Sequence, residues 1–203
     1  ASCGHGGWRT VTDSVQLGRV SGASSPASAS ASPAAAASGP APVVAVRVLG
    51  PVALVTADGT PVELPSATQR RLLALLAVHA GRPVRAELLS DELDLGAGAL
   101  RKVVSRLRSV VGDALRTSAT GYQLDLDVDG VRFAEVVLER EPSPGRAERL
   151  AEALAWWHGD ALDEFAAETW AMADAARFET LRAAAIEELA EHLIATRSAA
   201  EAI

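Results

Sequence analysis

Residues 99–112, ALRKVVSRLRSVVG, constrain the chain more than any other stretch. Leu100, Val104, Leu107 and Val111 recur at i, i+4, i+7 and i+11. At 100° per residue they fall within about 60° of a helix circumference, which predicts an amphipathic helix over 99–111 ended by Gly112. Lys102, Ser105, Arg106 and Ser109 point away from the stripe, with Arg101 and Arg108 on one flank and Val103 on the other. Four cations on so short a helix repel one another unless they are solvated or paired with an anion such as phosphate. A charge run taken alone is more often a solvated face. The elements around this helix decide what it means.

Upstream, VVAVRVL from Val43 alternates and is β-branched, the texture of a strand. PVALVTADGTPVEL places Asp58-Gly59 between two short apolar runs, a hairpin signal. Ser66-Ala67-Thr68-Gln69 has the spacing of a capping box, in which Ser66 accepts from the Gln69 amide and the Gln69 side chain reaches back. The helix it opens carries Leu72, Leu73, Leu75, Leu76 and His79, with Gly81 as its left-handed cap. His79 reads as a partly buried end residue, since no second ligand is near it. A short second helix, RAELLSDELD, buries Leu88, Leu89 and Leu93, and Gly96 and Gly98 break the pattern. After the third helix, LRTSATGYQLDLD reads as two strands around a turn at 119–121. Strands, three helices and a hairpin, in that order, match a winged helix. In that fold the third helix enters the major groove and the hairpin touches the flanking backbone.

Composition sets the limits. Of 203 residues, 49% are apolar but only 4% aromatic, so the core must rest on Leu and Val. The formal net charge of -7 is unevenly spread: residues 43–128 hold 10 Lys+Arg against 9 Asp+Glu, and residues 129–203 hold 7 against 16. A nucleic-acid binder needs only a local basic face. The lone Cys3 excludes an internal disulfide framework and a cysteine-rich zinc site. No stretch is long and apolar enough to span a membrane, and the amino-terminal segment lacks the core of a signal peptide. A cytoplasmic, nucleoid-associated protein without membrane contact is therefore expected. Residues 21–42 are nearly all Ala, Ser, Pro and Gly, and residues 1–42 are read as a disordered tail.

Five segments in order carry a resemblance: VRVLGPVALVTADGTPVELPSATQRRLLALLAVHAGRPV, LRKVVSRLRSVVG, TGYQLDL, ALAWWHGDALDEF and WAMADAARFETLRAAAIEELAEHLI. With them, residues 45–203 resemble the streptomycete antibiotic regulatory proteins and their larger relatives. Those proteins join an OmpR/PhoB-type winged helix, a phosphorelay-type effector domain, to a bacterial transcriptional activation domain. The resemblance implies an α+β winged helix-turn-helix over 43–128, followed by an all-α, tetratricopeptide-like helical domain over 129–203, read as truncated. It implies an activator that binds double-stranded promoter DNA and recruits RNA polymerase, with a homodimer on DNA compatible with repeated sites. By position, Arg106 contacts a phosphate or base, and Ala99, Lys102, Val103 and Ser105 share its helix at the groove. Residues 117–122 form the wing, with Arg116 and Thr120 near phosphate and Tyr122 at its end. Two departures stand out. The DLGAGA segment between the second and third helices, which resembles the loop OmpR-type proteins present to polymerase, is several residues shorter. Val103 also stands where many relatives have a polar residue, which shifts readout toward thymine methyls.

In the acidic third, VRFAEVVLER reads as one helix, PGRAERLAEALAWWHG as a second ended by Gly159, and ETWAMADAARFETLRAAAIEELAEHLIATR as one long helix or two. Trp156, Trp157, Phe165 and Trp170 are expected to supply large core residues. The acid surplus could also dock against the basic third helix. No Walker, zincin or nucleophile-elbow motif is present, so no catalytic residue, metal or cofactor is expected. A second reading, from a different class, is a protein-binding regulatory module of a larger signalling ATPase with weak DNA contact.

Overall fold

The computed structural model describes residues 42–139 and 145–201. Residues 1–41, where most of the expected disordered tail falls, lie outside them. Strand β1 (Val43–Arg47) pairs antiparallel with β2 (Ala53–Thr56), which pairs with β3 (Pro61–Val62). The turn is built around Asp58: the Gly59 amide donates to the Thr56 carbonyl, and the Thr56 hydroxyl and the Thr60 amide both donate to the Asp58 carboxylate. Val46 and Leu54 pair across this sheet and are fully buried, while Ala45, Arg47 and Val55 occupy the opposite face.

Helix α1 (Ala67–Ala77) starts at Ser66, whose hydroxyl accepts from the Gln69 amide. Only half of the capping box forms: among the described residues the Gln69 side chain makes no return bond and is buried instead. The helix also ends earlier than expected. Gly81 does adopt a positive φ of 74°, but in a turn beyond the last helical residue, and His79 Nδ1 lies 2.9 Å from the Leu75 carbonyl. Strand β4 (Val84–Arg85) leads into helix α2 (Ala86–Leu93), which closes on Asp94 in the left-handed region, φ 51°. Helix α3 (Ala97–Val111) therefore begins before Gly98; Gly96 is its N-cap, and Gly98 lies in its first turn rather than breaking the pattern. Leu100, Val104, Leu107 and Val111 are its buried residues, as the spacing predicts.

Strands β5 (Leu115–Thr117) and β6 (Gly121–Leu124) form the hairpin after α3, and β4 pairs with β6 to make a second, three-stranded sheet. Strand β7 (Asp127–Val128) crosses back to lie parallel to β1, giving the first sheet the order β3-β2-β1-β7. Neither β4 nor β7 is visible as periodicity, because two residues carry none.

Beyond β7 come α4 (Asp129–Leu138), α5 (Arg146–Leu154) and a single unbroken α6 (Met172–Glu201), with a 3-10 turn at Asp163–Phe165. The architecture is a winged helix followed by helices. Helix α5 ends before the tryptophan pair, so Trp156 and Trp157 sit in the following turn. Phe133, Phe165 and Phe178, not the indoles, are the fully packed aromatics. The indoles are half-buried at the core's edge, where the Trp157 ring meets Phe133 edge-on at 5.3 Å. A ring system that large is seldom wholly enclosed.

One buried cluster runs through both parts, from Leu54 and Leu72 to Phe133, Leu162 and Phe178. The His158 and Leu162 amides donate to the Leu49 and Val48 carbonyls, each at 2.8 Å. Leu162 adopts φ 55°, a conformation that costs a branched residue about 1–2 kcal/mol. Its complete burial and the bond to Val48 offset that cost.

Candidate nucleic-acid interface

The outer surface of α3 is built by its inner one. Once the Leu100–Val111 stripe is buried, helical geometry sends Ala99, Lys102, Ser105, Arg106 and Ser109 outward, and all five are exposed. Gly98, Arg101, Lys102, Ser105 and Arg106 line one shallow depression. Among the described residues Arg101, Lys102 and Arg106 have no ion-pair or side-chain hydrogen-bond partner. Val103 is half-buried against the core's edge, so only part of it is left to face a groove.

Arg108, the fourth cation, is committed internally. Its Nε donates to the Leu115 carbonyl at 3.0 Å and its Nη2 to the Thr117 hydroxyl at 2.9 Å. This fork pins β5 to the last turns of α3 and so sets where the hairpin stands relative to the exposed cations. The hairpin turn is tight: the Ser118 amide donates to the Gly121 carbonyl, and the Gly121 amide to the Ser118 hydroxyl. The Thr120 carbonyl accepts from the Ala86 amide at the start of α2. Thr120 and Tyr122, with Arg85 and Glu87, line a groove between the hairpin and α2. Tyr122 also borders a neighbouring groove that runs to Leu100 and Arg101. The surfaces join into a strip leading from the hairpin, past the start of α2, to the cationic face of α3.

Arg116 lies apart from that strip. Strand alternation puts it on the hairpin face opposite Thr117, and it pairs with Asp125 at 2.8 Å while staying 67% exposed. Arg85, and Arg101 on the flank of the basic face, are not among the contacts expected from sequence, yet both are exposed on the strip. The only sequence trace of them is charge, which by itself does not tell a functional cation from a solvated one.

Among the described residues, no carboxylate of the acidic third pairs with a cation of the basic helix. Two of these carboxylates reach α1 instead: Glu164 takes Arg70 at 2.9 Å, and Glu168 pairs with Arg71. Among the described residues no helix is long and apolar enough to cross a membrane, and no cluster of His, Cys, Asp and Glu could hold a metal ion.

The family model of the bacterial transcriptional activator domain matches residues 128–203. The transcriptional regulator RedD of Streptomyces coelicolor is 32% identical over 183 residues, 79% of this chain and 52% of that protein. Residues 128–203 thus carry a bacterial transcriptional activator domain, and the chain is similar to the streptomycete antibiotic regulatory proteins and their larger relatives. A mycobacterial regulator of this family type, the transcriptional regulatory protein EmbR of Mycobacterium tuberculosis, is 32% identical over 138 residues, 57% of this chain and 35% of its own length. The solved structure of EmbR with a low-affinity phosphopeptide superposes with a TM-score of 0.64 at 25% identity, covering 78% of this chain and 47% of that one. The chain thus spans about half the length of RedD and about a third of EmbR. Both relatives are named as transcriptional regulators, and what the family model finds in this chain is the activator domain.

Proposed function

We propose that this chain reads double-stranded promoter DNA with α3 in the major groove and with the hairpin after it on the flanking backbone, and that it activates transcription. The observation that carries the reading is the outer face of α3, where Arg101, Lys102 and Arg106 stand exposed and unpaired among the described residues. A cluster of like charges held on a rigid helix without internal partners is stabilised by an external anion, and the phosphates of a duplex supply a row of them. Arg106 with Lys102 and Ser105 then reaches bases or phosphates, Ala99 and the exposed part of Val103 lie against the groove, and Thr120 and Tyr122 approach the backbone. Arg116 contributes there only after release from Asp125. Residues 43–128 act as the DNA-reading part and residues 129–203 as a tetratricopeptide-like activation domain that contacts RNA polymerase. Two copies on repeated sites would double these contacts.

The test is selection of bound sites from a random duplex pool with the full chain, followed by substitution. Arg106→Ala should weaken binding by about 1–3 kcal/mol and relax preference at one base position. Lys102→Ala should weaken all sequences alike and lower the salt slope by about one. Unchanged affinity in both variants, with unchanged circular dichroism, would remove α3 from the interface.

A further inference from the structure

A second concave site lies away from α3, where the outer face of the first sheet meets the helical part. Ala45 and Val55, paired across β1 and β2, form its apolar floor, and the Trp156 ring stands beside them. Two guanidinium groups line it. Arg47 comes from β1, and Arg132 comes from α4 with its Cζ 5.3 Å from the centre of the Trp156 ring. His158 closes one end. Arg47 Nε is shut off from solvent and has no hydrogen-bond partner, and among the described residues neither arginine forms an ion pair. A buried N–H left unsatisfied is costly, so an acceptor that meets it after a small shift of the Arg47 side chain relieves that cost.

The one acid in the cleft, Asp129, is close enough to Arg47 for its charge to be felt. Its oxygens, however, are occupied by the amides of Val48, Leu49 and Gly130. Two cations therefore face the cleft against a single, already engaged anion. The cleft measures 270 Å³. That is just below the range of ligand sites, which starts at about 300 Å³, so it suits a compact molecule. An apolar floor and an aromatic wall favour a ligand with an apolar body, and the guanidiniums favour a carboxylate head, which they grip in a planar fork.

We propose that this cleft binds a small organic anion, an aromatic carboxylate whose head meets Arg47 and Arg132 and whose ring lies on Ala45, Val55 and Trp156. Because β1 and β2 supply the floor while α4 and the turn after α5 supply the walls, such a ligand bridges the two parts of the chain. Bound ligand raises the stability of the folded state in proportion to its occupancy.

Benzoate is the probe, titrated calorimetrically into the full chain without DNA, so that the outcome is independent of the reading given to α3. Saturable one-to-one binding and a raised Tm are expected. Arg47→Met and Arg132→Gln should each weaken binding by about tenfold, the loss of one charge-assisted contact. Arg132 is exposed, so its replacement leaves the fold in place even if Arg47→Met disturbs β1. Benzamide, neutral and of the same shape, should bind more weakly by a similar factor, and inorganic phosphate, which lacks an apolar body, should bind more weakly still. The proposal is overturned if benzoate shows no saturable binding or if Arg132→Gln binds it like the parent chain. It is equally overturned if benzamide or phosphate matches benzoate.

Discussion

Asp129 joins three backbone amides that no other group serves. Its Oδ1 accepts from Val48 and Gly130 at 2.7 Å each, and its Oδ2 lies 3.4 Å from the Leu49 amide. Burial opposes its ionisation more than these bonds and the nearby Arg47 favour it, and the carboxyl is pushed up from 3.8 to about 6. A carboxyl that binds its proton more tightly in the fold than in the unfolded chain stabilises the fold most in acid. That contribution shrinks as pH rises through the folded pKa. Asp129→Asn keeps an oxygen acceptor without the titration. Its stability relative to the parent chain should therefore improve between about pH 4 and pH 7, measured as the difference in urea midpoints. A difference that stays flat across that range would show that Asp129 ionises freely in the fold. Read from sequence, the helix starts at Val131 and Asp129 is left without a role, because Val48 and Leu49 lie 81 and 80 positions away.

The hairpin and the helical stack depend on contacts between elements. At Gly121 an added Cβ would lie 1.9 Å from the Val84 carbonyl oxygen, so β4 and β6 approach closely only because no side chain intervenes. Gly121→Ala should part the two strands and cost about 1–3 kcal/mol or more by overpacking, read as a lower urea midpoint. An unchanged midpoint would mean that the β4–β6 pairing yields without cost. In the helical part, Arg146 at the start of α5 grips Glu188 of α6 with two nitrogens, at 2.7 and 2.9 Å. The same side chain donates to the carbonyls of Val136 and Val137 at the end of α4. The pairing raises the pKa of Arg146 and lowers that of Glu188. Since Glu188 is 45% exposed, the value of the ion pair is reduced by solvent, and the bonds to buried carbonyls weigh more. Arg146→Met should cost about 2 kcal/mol and loosen α6, detectable as faster amide exchange along residues 172–190. Exchange at the parent rate would assign the stack's order to its apolar contacts alone.

For the whole molecule, the two parts share a core and are not joined by a tether. Gly130 lies so near Val48 and Phe178 that an added Cβ would come within 2.8 and 2.7 Å of them, and the carbonyls of Val48 and Leu49 accept from Leu162 and His158. The segment 43–128 made alone would uncover Val48 and lose both bonds. Together these losses cost about 3 kcal/mol. Chemical denaturation should find the isolated segment less stable than the full chain by that order, with added dye binding to exposed apolar surface. Equal midpoints would show that the winged part stands independently.

Periodicity and turn chemistry by themselves determined the strand at Val43, the Asp58-Gly59 hairpin, the stripe of α3 and the hairpin after it. Each rests on residues within a few positions of one another, where backbone geometry dictates which side chains share a face. The tertiary structure alone decided which cations are available. Arg106 and Arg108 are two residues apart, yet one is exposed and the other is bound to Leu115 and Thr117. It alone decided that Glu164 and Glu168, between α5 and α6, meet α1, and that two-residue strands with no pattern of their own complete both sheets. These outcomes depend on partners distant in sequence, and a side chain's charge and period hold no record of what the folded chain will bring beside it.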